Sequence, residues 1–225
     1  MINQVKAAYE DPATGAVTAT TNPDVKAIWD QLTTASTTES AHLAEWSTDW
    51  AAGMANGQFA TMLCPGWMLG VIKGDAPNTT TWNVADVFPG GAGNWGGSYL
   101  TVPADGKNVA AATELAAWLT APEQQLKALA AAGTFPSQVK ALDDEASLNA
   151  AMAAGAAPTN ATFFNSTTLG TIFKNRSQGI VAPFKGQNYF KVNDVMQNAL
   201  TRVEDGSQDP ATSWAQAMTE IKALG

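Results

Sequence analysis

The chain has 225 residues, long enough to bury one large core or two smaller ones. Only 14% of them are charged, against roughly 25% in an average soluble domain, so Thr, Asn, Gln and Ser carry the polar load and the surface suits an uncharged ligand. A formal net charge of -8 with no Lys/Arg cluster excludes nucleic acid as a natural partner, because a phosphate backbone would be repelled.

From the N-terminus, Asn22-Pro23 reads as an N-cap followed by proline at the first helical position, opening a helix through Val25, Ile28, Trp29 and Leu32. Leu43, Trp46, Trp50 and Met54 recur at helical spacing and predict a second helix that ends at Asn56-Gly57. Phe59 to Leu63 is an apolar run suited to a buried strand, and Pro65-Gly66 turns it into a short helix containing Trp67, Leu69 and Ile72. Trp82 to Phe88 and Ser98 to Val102 read as two further strands on either side of a Gly-rich loop.

Val109 to Leu119 is an Ala-rich helical stretch, and Thr120-Ala121-Pro122-Glu123 has the form of a capping box for a helix through Leu126 and Leu129. Gly133-Thr134-Phe135-Pro136 stops that helix. Leu142 to Thr159 reads as a helix followed by a connection, and helical patterns return at Leu169 to Arg176, Tyr189 to Val203 and Pro210 to Leu224, the last capped by Asp209. The expected class is helix-rich α/β, with few strands separated by helices.

Cys64 is the only cysteine, so no internal disulfide forms and the redox compartment is not readable from cysteine usage. It lies mid-chain in Thr61-Met62-Leu63-Cys64, too far from the start to be a lipidation site. No run of about 18 apolar residues exists, and the first twenty residues lack an apolar stretch, so neither a membrane span nor an export signal is expected in this sequence.

Gly91-Ala92-Gly93-Asn94-Trp95-Gly96 matches G-x-G-x-x-G, but the segment after it is strand-like where a nucleotide site needs a helix. A triad would have to use His42, the sole histidine, and no G-x-S-x-G elbow is present. One His and one Cys do not furnish a zinc site, and no metal or cofactor is expected. Glu45 and Asp49 sit one helical turn apart and Asp143-Asp144-Glu145 form an acidic run, but neither offers two carboxylates facing a glycosidic bond.

Eight tryptophans are the stronger signal. Trp29, Trp46, Trp50, Trp118 and Trp214 fall at helical spacing and read as core. Trp67 follows Pro65-Gly66, and Trp95 lies between Asn94 and Gly96-Gly97, so both occupy turn positions where ligands meet α/β proteins. A pyranose has an apolar C–H face and a rim of hydroxyls; flat indoles with uncharged hydrogen-bonding groups such as Asn94, Ser98, Gln187 and Asn188 match it.

Three blocks carry a family resemblance: Gly53-Met54-Ala55-Asn56-Gly57-Gln58-Phe59-Ala60-Thr61-Met62, Cys64-Pro65-Gly66-Trp67-Met68 and Gly93-Asn94-Trp95-Gly96-Gly97-Ser98. Leu115 to Gln125 and Gly133-Thr134-Phe135-Pro136-Ser137 continue it in order. The chain resembles the C-terminal half of the family 1 extracellular solute-binding proteins of ABC sugar importers, with wording similar to the actinobacterial branch that binds cellobiose and related oligosaccharides.

The resemblance implies a two-lobe, periplasmic-binding-protein-like (type II) fold that closes on its ligand. By that template residues 1–97 and 149–225 form the C-terminal, ligand-binding lobe, and 98–148 are an excursion belonging to an N-terminal lobe most of which, with its signal and lipidated cysteine, lies outside this sequence. It implies Trp67 as a sugar platform and Trp95, Asn94, Gly96 and Gly97 as cleft lining; Phe164, Gln187 and Tyr189 are further expected contributors. The implied partners are an oligosaccharide, the ABC permease subunits and the missing N-terminal lobe; the implied location is extracytoplasmic, and no catalysis is expected. A glycoside hydrolase or transferase with a Trp-lined cleft, or a sugar sensor on the same fold, stands as the alternative. Without its sheet, the excursion would leave Leu115, Trp118, Leu119 and Leu126 exposed or packed elsewhere, so weakened stability or self-association is expected.

Overall fold

The computed structural model describes residues 1–224 and falls into two compact units, 1–50 with 180–225, and 51–179. The chain passes from the first to the second within one helix and returns after another. The excursion expected at 98–148 lies wholly inside the second unit.

In the first unit, α1 (Pro23–Thr38) begins as its sequence dictates: Asn22 Oδ1 accepts from the Asp24 N–H at 3.0 Å and proline stands at the first helical position. Two further helices, α10 (Tyr189–Glu204) and α11 (Pro210–Lys222), pack with it. Tyr189, Val192, Met196, Ala199 and Val203 recur at three- and four-residue steps, so α10 turns one apolar stripe inward. Asp209 caps α11 through Oδ1, which accepts from Ala211 and Thr212 N–H. Trp29 of α1 packs on Trp214 of α11 with centroids 5.4 Å apart, and the buried Ser213 hydroxyl donates to the Ala199 carbonyl at 2.8 Å. The segment before α1 reverses at an isolated antiparallel bridge between Glu10 and Val17 and lays Tyr9 against Tyr189.

The C-terminal end of α10 is tied to the last turn of α1 and to the chain just beyond it. Ser36 Oγ donates to Glu204 Oε2, Ser40 Oγ donates to Oε1 at 2.5 Å, and His42 Nδ1 lies 3.2 Å from Oε1. Burial works to raise the Glu204 pKa, but the two serine hydrogen bonds and the imidazole outweigh it and hold the carboxyl below its ordinary 4.5. A depressed native pKa means the stabilisation is full above about pH 4.5 and is lost as pH falls through the lower native value. Glu204→Gln is therefore expected to flatten the acid limb of a urea-midpoint series taken from about pH 6 to about pH 3, at a neutral-pH cost of about 1 kcal/mol or less because the group is partly exposed. An unchanged acid limb would show that the network contributes nothing.

The second unit is a helical layer of α3 (Met68–Asp75), α4 (Val109–Leu119), α5 (Pro122–Ala132), α6 (Val139–Asp143), α7 (Glu145–Ala153), α8 (Asn160–Phe163) and α9 (Leu169–Ser177). Helix α7 is central and packs on α5, α6, α8 and α9, burying Leu148, Ala151 and Met152. Leu129, Leu169, Phe163, Phe164, Met68, Leu69 and Ile72 complete this core. Gln125 fastens the turn after α5: its Oε1 accepts from Ser137 and Gln138 N–H, and its Nε2 donates to Ser137 Oγ.

Several expectations are corrected. Phe59 to Leu63, Trp82 to Phe88 and Ser98 to Val102 run without a strand ladder, so the strands of the α/β reading are not formed among the described residues. Strand-like composition becomes a strand only against a neighbour. Here side chains hold the backbone instead: Trp82 Nε1 donates to the Met54 carbonyl at 3.1 Å, and Phe59 packs edge-on against the Trp82 ring. The second helix, α2 (Thr48–Asn56), starts later than predicted, because Ser47 Oγ accepts the Trp50 N–H and caps it there; Leu43 and Trp46 lie outside it. The capping box does not form either. Thr120 Oγ1 donates back to the Ala116 carbonyl at the end of α4, and α5 opens on Pro122 without a side-chain cap.

Candidate ligand-binding site

In the second unit, Pro65 ends the extended segment and accepts the Met68 N–H at 3.0 Å, which starts α3 and leaves Trp67 at its N-cap. The turn is seated on the chain after α5. Gly66 is buried against the Phe135 ring, where a Cβ would stand 3.4 Å from Phe135 Cβ, and Phe135 packs on Phe173 of α9. Cys64 is a structural part of this turn: burial pushes its thiol up to about 12, so it stays protonated and inert.

Trp95 is delivered by the loop 89–98. Its anchor is α9, whose Arg176 donates from a terminal guanidinium nitrogen to the Gly91 carbonyl at 3.1 Å and pairs with Asp86 at 2.8 Å. Asn175 donates to the other Asp86 oxygen, and buried Ala92 fits against Gly179, where a Cβ would come within 2.9 Å. Gly96 and Gly97 adopt φ of 92° and 140°, which exclude other residues without strain, and no neighbour crowds the space a Cβ would take.

The two anchors bring Trp67 and Trp95 together. Their ring centroids are 5.4 Å apart with planes at 69°, an edge-to-face pair. Trp67 is half-buried and Trp95 is 44% exposed, so the pair forms an aromatic corner with solvent on one side. Asn94, Gly96 and Gly97 are exposed beside Trp95 in the chain. Two indoles at an angle offer two apolar surfaces and no charge, which gives purchase to a ring with C–H faces.

The remaining candidates separate by burial. Phe164 is 1% exposed and packs on Phe163 with centroids 4.8 Å apart, so it is a core residue with no face open to a ligand. Tyr189 belongs to the other unit and is also core: its ring meets Tyr9, and its hydroxyl donates to Asn3 Oδ1 at 2.9 Å. Gln187 is exposed in that same unit, and buried Asn188 spends its backbone N–H on Glu10 Oε1. Sequence reasoning missed Phe135 and Arg176, which hold the corner in place; neither a Phe between Thr134 and Pro136 nor a helix-end Arg carries a signal that says so. Among the described residues no group of three or more His, Cys, Asp or Glu is placed to hold a metal ion, and no helix is long and apolar enough to cross a membrane.

The chain belongs to the bacterial extracellular solute-binding protein family, whose sequence pattern matches residues 5–154. A solved crystal structure of a family 1 extracellular solute-binding protein is 42% identical and superposes with a TM-score of 0.85 over 99% of this chain. This chain spans 55% of that protein. No curated protein matches the sequence.

Proposed function

We propose that this chain is the ligand-gripping part of an extracytoplasmic binding protein that captures an uncharged, cellobiose-like oligosaccharide and delivers it to the permease subunits of an ABC importer. The work is recognition and closure around the ligand, with no bond made or broken. The observation that carries this reading is the Trp67–Trp95 corner, with Trp95 exposed on its loop and Trp67 half-buried at the start of α3, held by Arg176 and Phe135. Pyranose C–H faces stack on the indoles; Asn94 and the backbone of Gly96 and Gly97 meet the hydroxyls. Low charge in the chain as a whole fits a neutral ligand. On the family's template, residues 1–97 and 149–225 serve the C-terminal lobe and 98–148 serve the N-terminal one, in a protein secured at the cell surface by a lipid anchor.

Trp67→Ala is expected to weaken binding of cellobiose or cellotriose at least about tenfold, or about 1.4 kcal/mol, in isothermal titration. Trp95→Ala should do the same, and the pair of changes should cost less than the sum because each ring supports the other. Unaltered affinity in both single variants would remove the assignment. Turnover of an aryl glycoside would favour a hydrolase instead.

A further inference from the structure

We propose that Trp46, carried by the unit formed by residues 1–50 and 180–225, is a second aromatic platform for a neutral sugar ring, sharing no residue with the Trp67–Trp95 pair of the other unit. The ligand class rests on the function proposed above; the site rests on its own observations. Trp46 is 57% exposed, yet its backbone sits at φ 68°, in the left-handed region where a bulky side chain is an outlier. His42, four residues earlier, is likewise at φ 52°. Strain of this kind costs about 1–3 kcal/mol per residue and persists only where the surroundings impose it.

The surroundings do impose it. The segment between α1 and α2 is pinned at one end by Ser40 and His42 on Glu204, and His42 Nδ1 also lies 3.1 Å from the Glu204 carbonyl. At the other end the Ser47 hydroxyl caps α2. Between these ties the Trp46 ring rests on Trp50, with centroids 5.2 Å apart and planes at 54°, and Trp50 is itself buried. The fold thus spends strain to hold an indole against a fixed base with much of its surface in water. Core packing does not explain that, because a helical Trp46 at four-residue spacing from Trp50 would be buried at no strain.

The residues on either side, Glu45, Ser47, Thr48 and Asp49, are all hydrogen-bonding types, and Glu45, Thr48 and Asp49 are exposed. An exposed flat apolar face, flanked in the chain by carboxylate and hydroxyl residues, suits the C–H face and hydroxyl rim of a pyranose.

The test uses the chain with all eight tryptophans replaced by 5-fluorotryptophan and read by fluorine NMR, the Trp46 signal being assigned by Trp46→Phe. On titration with cellotetraose the Trp46 signal is expected to shift saturably with a midpoint of about 1 mM or tighter. The Trp50 signal loses its neighbouring ring and moves in Trp46→Phe; the six remaining signals should keep their positions without ligand, which shows that the variant folds. Shifts at Trp67 and Trp95 with Trp46 unmoved would overturn this proposal and leave the proposed function standing. Trp46 moving alone would support the second platform and count against the corner. No shift at any tryptophan would sink both. A Trp46 shift with choline but not with cellotetraose would overturn the sugar assignment.

Discussion

Gly170→Ala is expected to destabilise the chain by about 2 kcal/mol or more, although alanine is the better helix former by about 1 kcal/mol. Gly170 lies in the first turn of α9 where that helix crosses α7. A Cβ there would stand 2.8 Å from the Asn149 nitrogen and the Leu148 carbonyl carbon, both backbone atoms that move only with the whole helix. It would also meet Asn149 Oδ1 at 2.9 Å, the atom that accepts the Thr171 N–H, while Asn149 Nδ2 donates to Thr171 Oγ1. Parting the helices would break both bonds and open the packing around Leu148 and Leu169, each fully buried. Gly70→Ala is the matched control: it is exposed in α3, and its Cβ would meet nothing within 4 Å, so propensity alone acts and a gain of up to about 1 kcal/mol is expected. Urea midpoints for the two variants should move in opposite directions; a Gly170→Ala midpoint at or above that of the parent would show that the helices part freely.

The elements legible in the sequence are those whose ends are written locally. Asn22-Pro23 and Asp209-Pro210 each combine a capping acceptor with a preset φ, and both helices begin there. The stripe from Tyr189 to Val203 was readable because five buried positions share one face. The three expected strands failed for the opposite reason: a strand is defined by its neighbour, and alternation alone does not supply one. The two compact units were equally unreadable, since the first joins residues 1–50 to 180–225 with no shift in composition at either boundary.

At the candidate site, flanking turn residues pointed to Trp67 and Trp95, because Pro-Gly before one and Gly-Gly after the other place them outside helices. Their meeting edge to face was not readable, as it depends on Phe135 and Arg176 holding two loops that are far apart in the chain. Aromatic type alone did not separate platform from core: Phe164 and Tyr189 stand at helix ends much as Trp67 does, and only burial distinguishes them. Trp46 was hidden by its spacing. Four residues before Trp50 it fits a helical face, and the Ser47 cap that stops the helix short of it was overlooked.

Concentration-dependent self-association through α4 is the other large effect expected of this chain. The helix buries no residue, and Leu115, Trp118 and Leu119 stand three and four apart on one face at 56%, 55% and 45% exposure. Tyr99 and Leu100, earlier in the chain, are exposed as well, at 92% and 58%. Covering a large apolar side chain is worth about 1.5–3 kcal/mol, so two such faces brought together recover enough to offset much of the entropy lost on association. Contiguous apolar surface of this kind is what soluble monomers avoid. Sedimentation velocity over a concentration series should show mass rising above the 23.4 kDa of one chain. Leu115→Glu with Trp118→Glu should restore a single-chain mass without lowering the thermal midpoint of the dilute protein, because neither side chain supports the core of its own unit. A chain that stays monomeric across the series would mean that α4 is covered from within, and the exposed face described here would have to be abandoned.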